Sequence, residues 1–109
     1  MTIAILTAMM LATPAPTTTP DQTDAQCFIV VASMIGQDQS KAEKLGSGLT
    51  YFTGKIIGRH PDADLEALVR AAAPVVARLG ASEFTRCGGE LQRAGARLQS
   101  LGAALQTHP

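Results

Sequence analysis

Tryptophan is absent from this chain, and Phe and Tyr together supply only four residues in 109. That is too little to build the stacking platform that single-stranded nucleic acids require. Neither sign of charge is in excess, with nine Lys and Arg against nine Asp and Glu. Without clustered surplus cations there is no electrostatic footprint for nucleic acid or for an acidic lipid surface. Cysteine occurs twice and histidine twice, at Cys27, Cys87, His60 and His108, with no CxxC, HxxxH or HExxH spacing among them. That excludes the usual zinc frameworks. There is no CxxCH haem attachment, nucleophile elbow or pair of catalytic carboxylates either. No enzymatic activity, metal or cofactor is expected.

An apolar content of 46% is too high for a disordered chain, and the length allows a single domain. The two ends differ in kind. Ile3–Ala12 is an apolar run of ten residues, about half of what a bilayer span needs but the length of a signal-peptide h-region. Thr13–Asp24 follows with three prolines, five threonines and no large apolar side chain. Such a stretch buries too little surface to offset its ordering entropy and reads as an extended linker. Residues 1–25 are therefore expected to be a signal peptide and linker, and 26–109 the domain. No Lys or Arg precedes Lys41, so the n-region is charged only by the α-amino group. Thr23-Asp24-Ala25 and Thr13-Pro14-Ala15 are the candidate cut sites, and an uncleaved tether is the alternative. The expected compartment is the periplasm or the exterior, with no stable membrane span after cleavage. Loss of residues 1–25 removes Asp21 and Asp24 and leaves a net charge of only +2.

From Ala25 onward the apolar residues recur with a helical period, and no segment alternates convincingly with a period of two. An all-α fold of four antiparallel helices is expected. The first covers about 25–36, with Asp24 as its cap, Gly36 as its stop and Cys27, Val30, Val31, Met34 and Ile35 on its apolar face. The second covers 40–59, opened by a Ser40/Glu43 capping box and carrying Leu45, Leu49, Phe52 and Ile56. Gly46 and Gly48 weaken it and mark a candidate break. The third covers 62–79, capped by Asp62, with Leu65, Leu68, Ala72, Val75, Val76 and Leu79 inward and a kink expected near Pro74.

The fourth helix, 82–106, has the clearest pattern. Behind a Ser82 cap, Phe84, Cys87, Leu91, Ala94, Leu98, Leu101 and Leu105 follow at strict 3-4 spacing, a heptad repeat. Gly88, Gly95 and Gly102 stand seven residues apart, each one step after an apolar position. Three interior glycines weaken a helix by about 3 kcal/mol relative to alanine, so their register points to close approach by another helix. The partner is either the second helix, which presents Gly54 and Gly58, or a second copy of the fourth. This seam is the candidate interaction surface. The partner class is thus another protein or the chain itself.

An exported chain with two cysteines ordinarily pairs them, so a Cys27–Cys87 disulfide is expected. In the chain-entropy model a loop of this length stabilises the fold by about 4 kcal/mol. Two weaker constellations have bland explanations. Gly46-Ser47-Gly48 lacks the lysine and the preceding strand of a phosphate loop. Arg59-His60-Pro61-Asp62-Ala63-Asp64 gathers acid and base side chains, yet it also reads as one helix end followed by the next helix's cap.

With Cys27-Phe28-Ile29-Val30-Val31 opening one helix and Cys87 inside another, the layout resembles the periplasmic acid-stress chaperones. It departs from them in having no tryptophan and fewer charges. The resemblance implies a disulfide-tied helical fold, periplasmic residence and opening of the bundle as carboxylates protonate. A small apolar-ligand carrier is the third reading of such a bundle.

Overall fold

A computed structural model describes residues 18–107. The apolar run Ile3–Ala12, both ends of the candidate cut at Thr13–Ala15, and His108 lie outside the described residues. The described chain forms four helices: α1 (Pro20–Gln37), α2 (Ala42–Arg59), α3 (Leu65–Leu79) and α4 (Ala81–Thr107). A single 3-10 turn, Gln39–Lys41, joins α1 to α2. No strand occurs among the described residues. The fold is all-α and carries one Cys27–Cys87 disulfide.

The first helix begins earlier than its apolar pattern implies. Thr19, not Asp24, is its cap: the Gln22 amide donates to Thr19 Oγ1 at 3.2 Å and the Thr19 amide to Gln22 Oε1 at 2.9 Å. This reciprocal capping box is completed by Pro20, whose missing N–H costs nothing at the first helical position. The boundary expected between residues 25 and 26 therefore falls inside α1. Ile29-Val30-Val31 has strand propensity, but Val30 and Val31 are 1% exposed, and burial on three sides overrides it. Gly36 does not stop the helix, which runs on to Gln37.

Three other caps differ from expectation. Ser40 does not cap α2; it donates both its amide (3.1 Å) and its hydroxyl (2.5 Å) to Asp38 Oδ1, closing the 3-10 turn. Asp64, not Asp62, caps α3 by accepting from the Ala67 amide at 3.1 Å. Ser82 points back and donates to the Leu79 carbonyl, while Gly80 at φ 61° ends α3 and launches α4 with no intervening loop. A side chain is strained in that conformation, so the glycine is needed there. Helix α2 runs unbroken through Gly46 and Gly48, and α3 through Pro74. Pro74 lies on the exposed face of α3.

Packing is organised around α1. Cys27, Val30 and Val31 form one buried cluster with Phe52 of α2, Val76 of α3 and Cys87 of α4. Ala25, Ile56 and Ala72 form a second where α1, α2 and α3 meet. Helices α1 and α2 are antiparallel: Asp21 and Asp24 meet Arg59 and Lys55 at one end, and Val31 reaches Gly48 further along. Helix α4 instead runs in the same sense as α1, since Arg86 reaches Thr23, Cys87 bonds Cys27, and Leu91 meets Val31 across Gly48.

Candidate interaction surface

Two features of α4 shape the surface of the described chain: how its first half is held, and what its second half leaves bare. The disulfide is the main fastening. Both cysteines are 0% exposed, their Cα atoms are 5.3 Å apart, and 60 residues of sequence separate them. That separation of Cα atoms is ordinary for a bridge. No described cysteine is free.

Around the bridge runs a ladder of charges linking three helices. Asp24, 3% exposed, accepts from Lys55 Nζ at 2.9 Å and from the Arg59 guanidinium at 2.5 Å. Lys55 also reaches Glu90 of α4 at 2.5 Å, and Arg59 reaches Asp21 at 2.9 Å. His60 Nδ1 lies 2.7 Å from the other Asp21 oxygen. Burial acts to raise the Glu90 carboxyl, but hydrogen bonds from Lys55 and Tyr51 outweigh it and hold the group below its ordinary 4.5. Asp21 is likewise held below 3.8, because the Arg59 and His60 hydrogen bonds overcome its partial desolvation. Burial acts against the Lys55 ammonium, and Glu90 and Asp24 together hold it above 10.5. Arg86 pairs with the buried Glu83 at 2.6 Å and leans toward the Thr23 carbonyl.

These contacts account for the motif at residues 59–64. Arg59 and His60 close the end of α2 against Asp21, and Asp64 caps α3. Among the described residues no group of three or more His, Cys, Asp or Glu is arranged to hold a metal ion. Gly46-Ser47-Gly48 is an interior turn of α2.

The residues of the expected seam divide sharply. Phe84 is half-buried against the core cluster, Cys87 is fully buried, and Leu91 is half-buried with its methyls over Gly48. Leu98, Leu101 and Leu105 are 68%, 61% and 72% exposed. Every described residue from Ala96 onward is exposed. The glycines do not make the close intrachain approach their register implies. A Cβ built at Gly88, Gly95 or Gly102 meets nothing within 4 Å, and the same holds at Gly54 and Gly58, so the α2 face expected to receive them is not the partner. The glycine that does receive α4 is Gly48, where a Cβ would lie 3.1 Å from Leu91 Cδ1 and 3.4 Å from Val31 Cγ1. In the sequence Gly48 reads as a weak point of its helix and as part of Gly46-Ser47-Gly48, not as a packing position. Its place four residues before Phe52, on the buried face of α2, was the signal available.

No protein-family model, curated protein or solved structure matches the chain. No described helix is long and apolar enough to cross a membrane.

Proposed function

We propose that this chain is an exported, non-enzymatic helical protein that acts by presenting the end of α4 to another protein. The carrying observation is the contrast within one helix: a body fastened by a disulfide and a charge ladder projects three leucines, each more than 60% exposed, on a heptad stripe. Monomeric proteins seldom expose an aligned apolar stripe without a use for it. An amphipathic helix face is a standard recognition surface for another helix. Export is supported by the Ile3–Ala12 run and by a two-cysteine chain whose cysteines pair, since such bridges persist in oxidising compartments.

In this reading, processing falls at or before Thr18. A cut after Ala25 would strip the capping box from α1 and remove Asp24, leaving Lys55 and Arg59 without their shared carboxylate. The deciding experiment is photo-crosslinking in the native host from a probe at residue 98. A covalent protein adduct that is absent when the probe sits at exposed Thr50 is expected. No adduct in either position contradicts the interaction reading. The intact mass of envelope protein, alkylated before and after reduction, tests the compartment. A chain retaining Thr19 with no free thiol before reduction is expected; a chain starting at Gln26, or two free thiols, contradicts it.

A second reading follows from the carboxylates. Asp21 ties α1 to Arg59 of α2 and Glu90 ties α4 to Lys55 of α2, and their protonation takes a carboxylate partner from each of those cations. That arrangement favours an acid-opened chaperone, the role implied by the resemblance. Such a protein would expand and suppress client aggregation at about pH 2–3, below the carboxylate range. Retention of its neutral-pH hydrodynamic radius there, with no client protection, contradicts the chaperone.

A further inference from the structure

Resting on that interaction reading, we propose that the partner of the α4 end is a second copy of this chain, packed antiparallel about a crossing near Leu101 to form a weak two-fold dimer. The stripe Leu91, Ala94, Leu98, Leu101 and Leu105 is continuous, and its first member already serves as a knob over Gly48. Beyond Ala94 the same stripe leaves the body and has no described neighbour to fill. Leu98, Leu101 and Leu105 therefore gain burial only from cover outside the described body.

Charge selects the occupant and its direction. Leu98–Thr107 carries no charged side chain, and Arg97 is the one cation of the bare half. A surface of anionic lipid or nucleic acid would find almost nothing to neutralise. A second copy meets no like charge along the leucines. In a parallel pairing Arg93 and Arg97 would face their own counterparts, with Glu90 of each copy already engaged by Lys55. In the antiparallel pairing each Arg97 lies about 12 Å along the axis from its mate, beyond the Debye length at physiological salt.

Shape agrees with this direction. A crossing near Leu101 sets Leu98 of one copy beside Leu105 of the other, and Leu101 beside Gly102. The space around Gly95 and Gly102 is open to receive those side chains. Such glycines bring helix axes to the near end of the usual 8–10 Å range. The footprint sets the strength. A crossing of two to three turns buries on the order of 500 Å² per partner, short of the roughly 800 Å² of a standard stable interface. The dimer is therefore a weak, concentration-dependent one, sought over roughly 10–100 μM, toward the weak end of the affinity scale.

Sedimentation velocity on the full-length, oxidised chain across that range tests the proposal. A monomer–dimer equilibrium is expected in the wild type. Leu101→Glu, which sets two carboxylates at the crossing, should weaken it by at least tenfold while the Cys27–Cys87 bridge and the helical circular dichroism persist. A photo-crosslinker at residue 101 should join residues 98–105 of a second copy. A wild type that stays monomeric to the top of the range overturns the proposal, as does a dimer indifferent to Leu101→Glu. The crosslinker separates this failure from that of the parent reading. An adduct in the host with a different protein overturns the second copy and leaves the interaction surface standing. An adduct only with Ile3–Ala12 of the same chain overturns both.

Discussion

The two halves of α4 belong to one heptad repeat but live in different surroundings. Between Ala81 and Gly95 the helix contributes Cys87 to the bridge, Glu90 to Lys55, Arg86 to the Thr23 carbonyl, and Leu91 to the space over Gly48. Four of its five charged side chains, Glu83, Arg86, Glu90 and Arg93, lie in that half. From Ala96 to Thr107 the same periodicity continues with a single charge and no buried residue. A hydrophobic period specifies which face of a helix is adhesive. What that face meets is decided by groups on other elements, here Cys27, Asp24, Lys55 and Gly48, all of which act on the first half.

Breaking the bridge gives the largest effect. Cys27→Ser with Cys87→Ser should lower stability by about 4 kcal/mol, a large share of the 5–15 kcal/mol typical of a small domain. Urea melts of the double variant and of the oxidised wild type measure it. Truncation after Ala96 should change the same melt by less than about 1 kcal/mol, since surface changes away from buried groups cost little. Equal losses would mean that the second half is not bare.

Asp24→Asn comes next. It leaves Lys55 and Arg59, each with about a third of its side chain exposed, around an uncharged group. A fully buried broken pair costs 3–5 kcal/mol, and solvent at the two cations reduces the expected loss to about 2 kcal/mol. Arg97→Ala, on the bare half, should be neutral within about 0.5 kcal/mol.

Acid acts on the ladder and not on the uncharged end. Asp21 and Glu90 are held below their ordinary values of 3.8 and 4.5 in the folded chain, so their contribution is complete above those values. It is lost as pH falls through the lowered folded values. Thermal midpoints should stay level from about pH 7 to 5 and decline below about pH 4. Glu90→Gln should make that decline shallower. A midpoint that rises below pH 4 contradicts the sign.

The smallest effects distinguish the glycines. Gly95→Ala and Gly102→Ala meet open space and should raise helix content by the alanine preference of about 1 kcal/mol per site, read by circular dichroism. Gly48→Ala sets a Cβ 3.1 Å from Leu91 and should gain less than either, or lose. A larger gain at Gly48 would show that α4 does not rest there.

Much of the body was legible because buried positions repeat at helical spacing and two cysteines have only each other to pair with. Val30, Val31, Phe52, Ile56, Ala72 and Val76 all fall on the faces their spacing marked. The start of α1 was hidden by composition. Thr19-Pro20-Asp21-Gln22 is a complete capping box, but it closes a stretch whose prolines and threonines read as linker. Asp24 looked like a cap because caps and buried ion-pair carboxylates use the same side chain, and only Lys55 and Arg59, more than 30 residues away, distinguish them. Asp62 and Asp64 sit in one loop, and periodicity does not choose between neighbouring caps two residues apart. Gly88, Gly95 and Gly102 showed a register without showing what stands opposite it.

Amide hydrogen exchange along α4 tests the account most directly. Amides around Cys87 to Leu91 should be strongly protected at every protein concentration. Those around Leu98 to Leu105 should exchange near the unprotected rate in dilute solution and slow as concentration rises through the micromolar range. Equal, concentration-independent protection in the two halves would contradict the division of this helix into a fastened body and an exposed end.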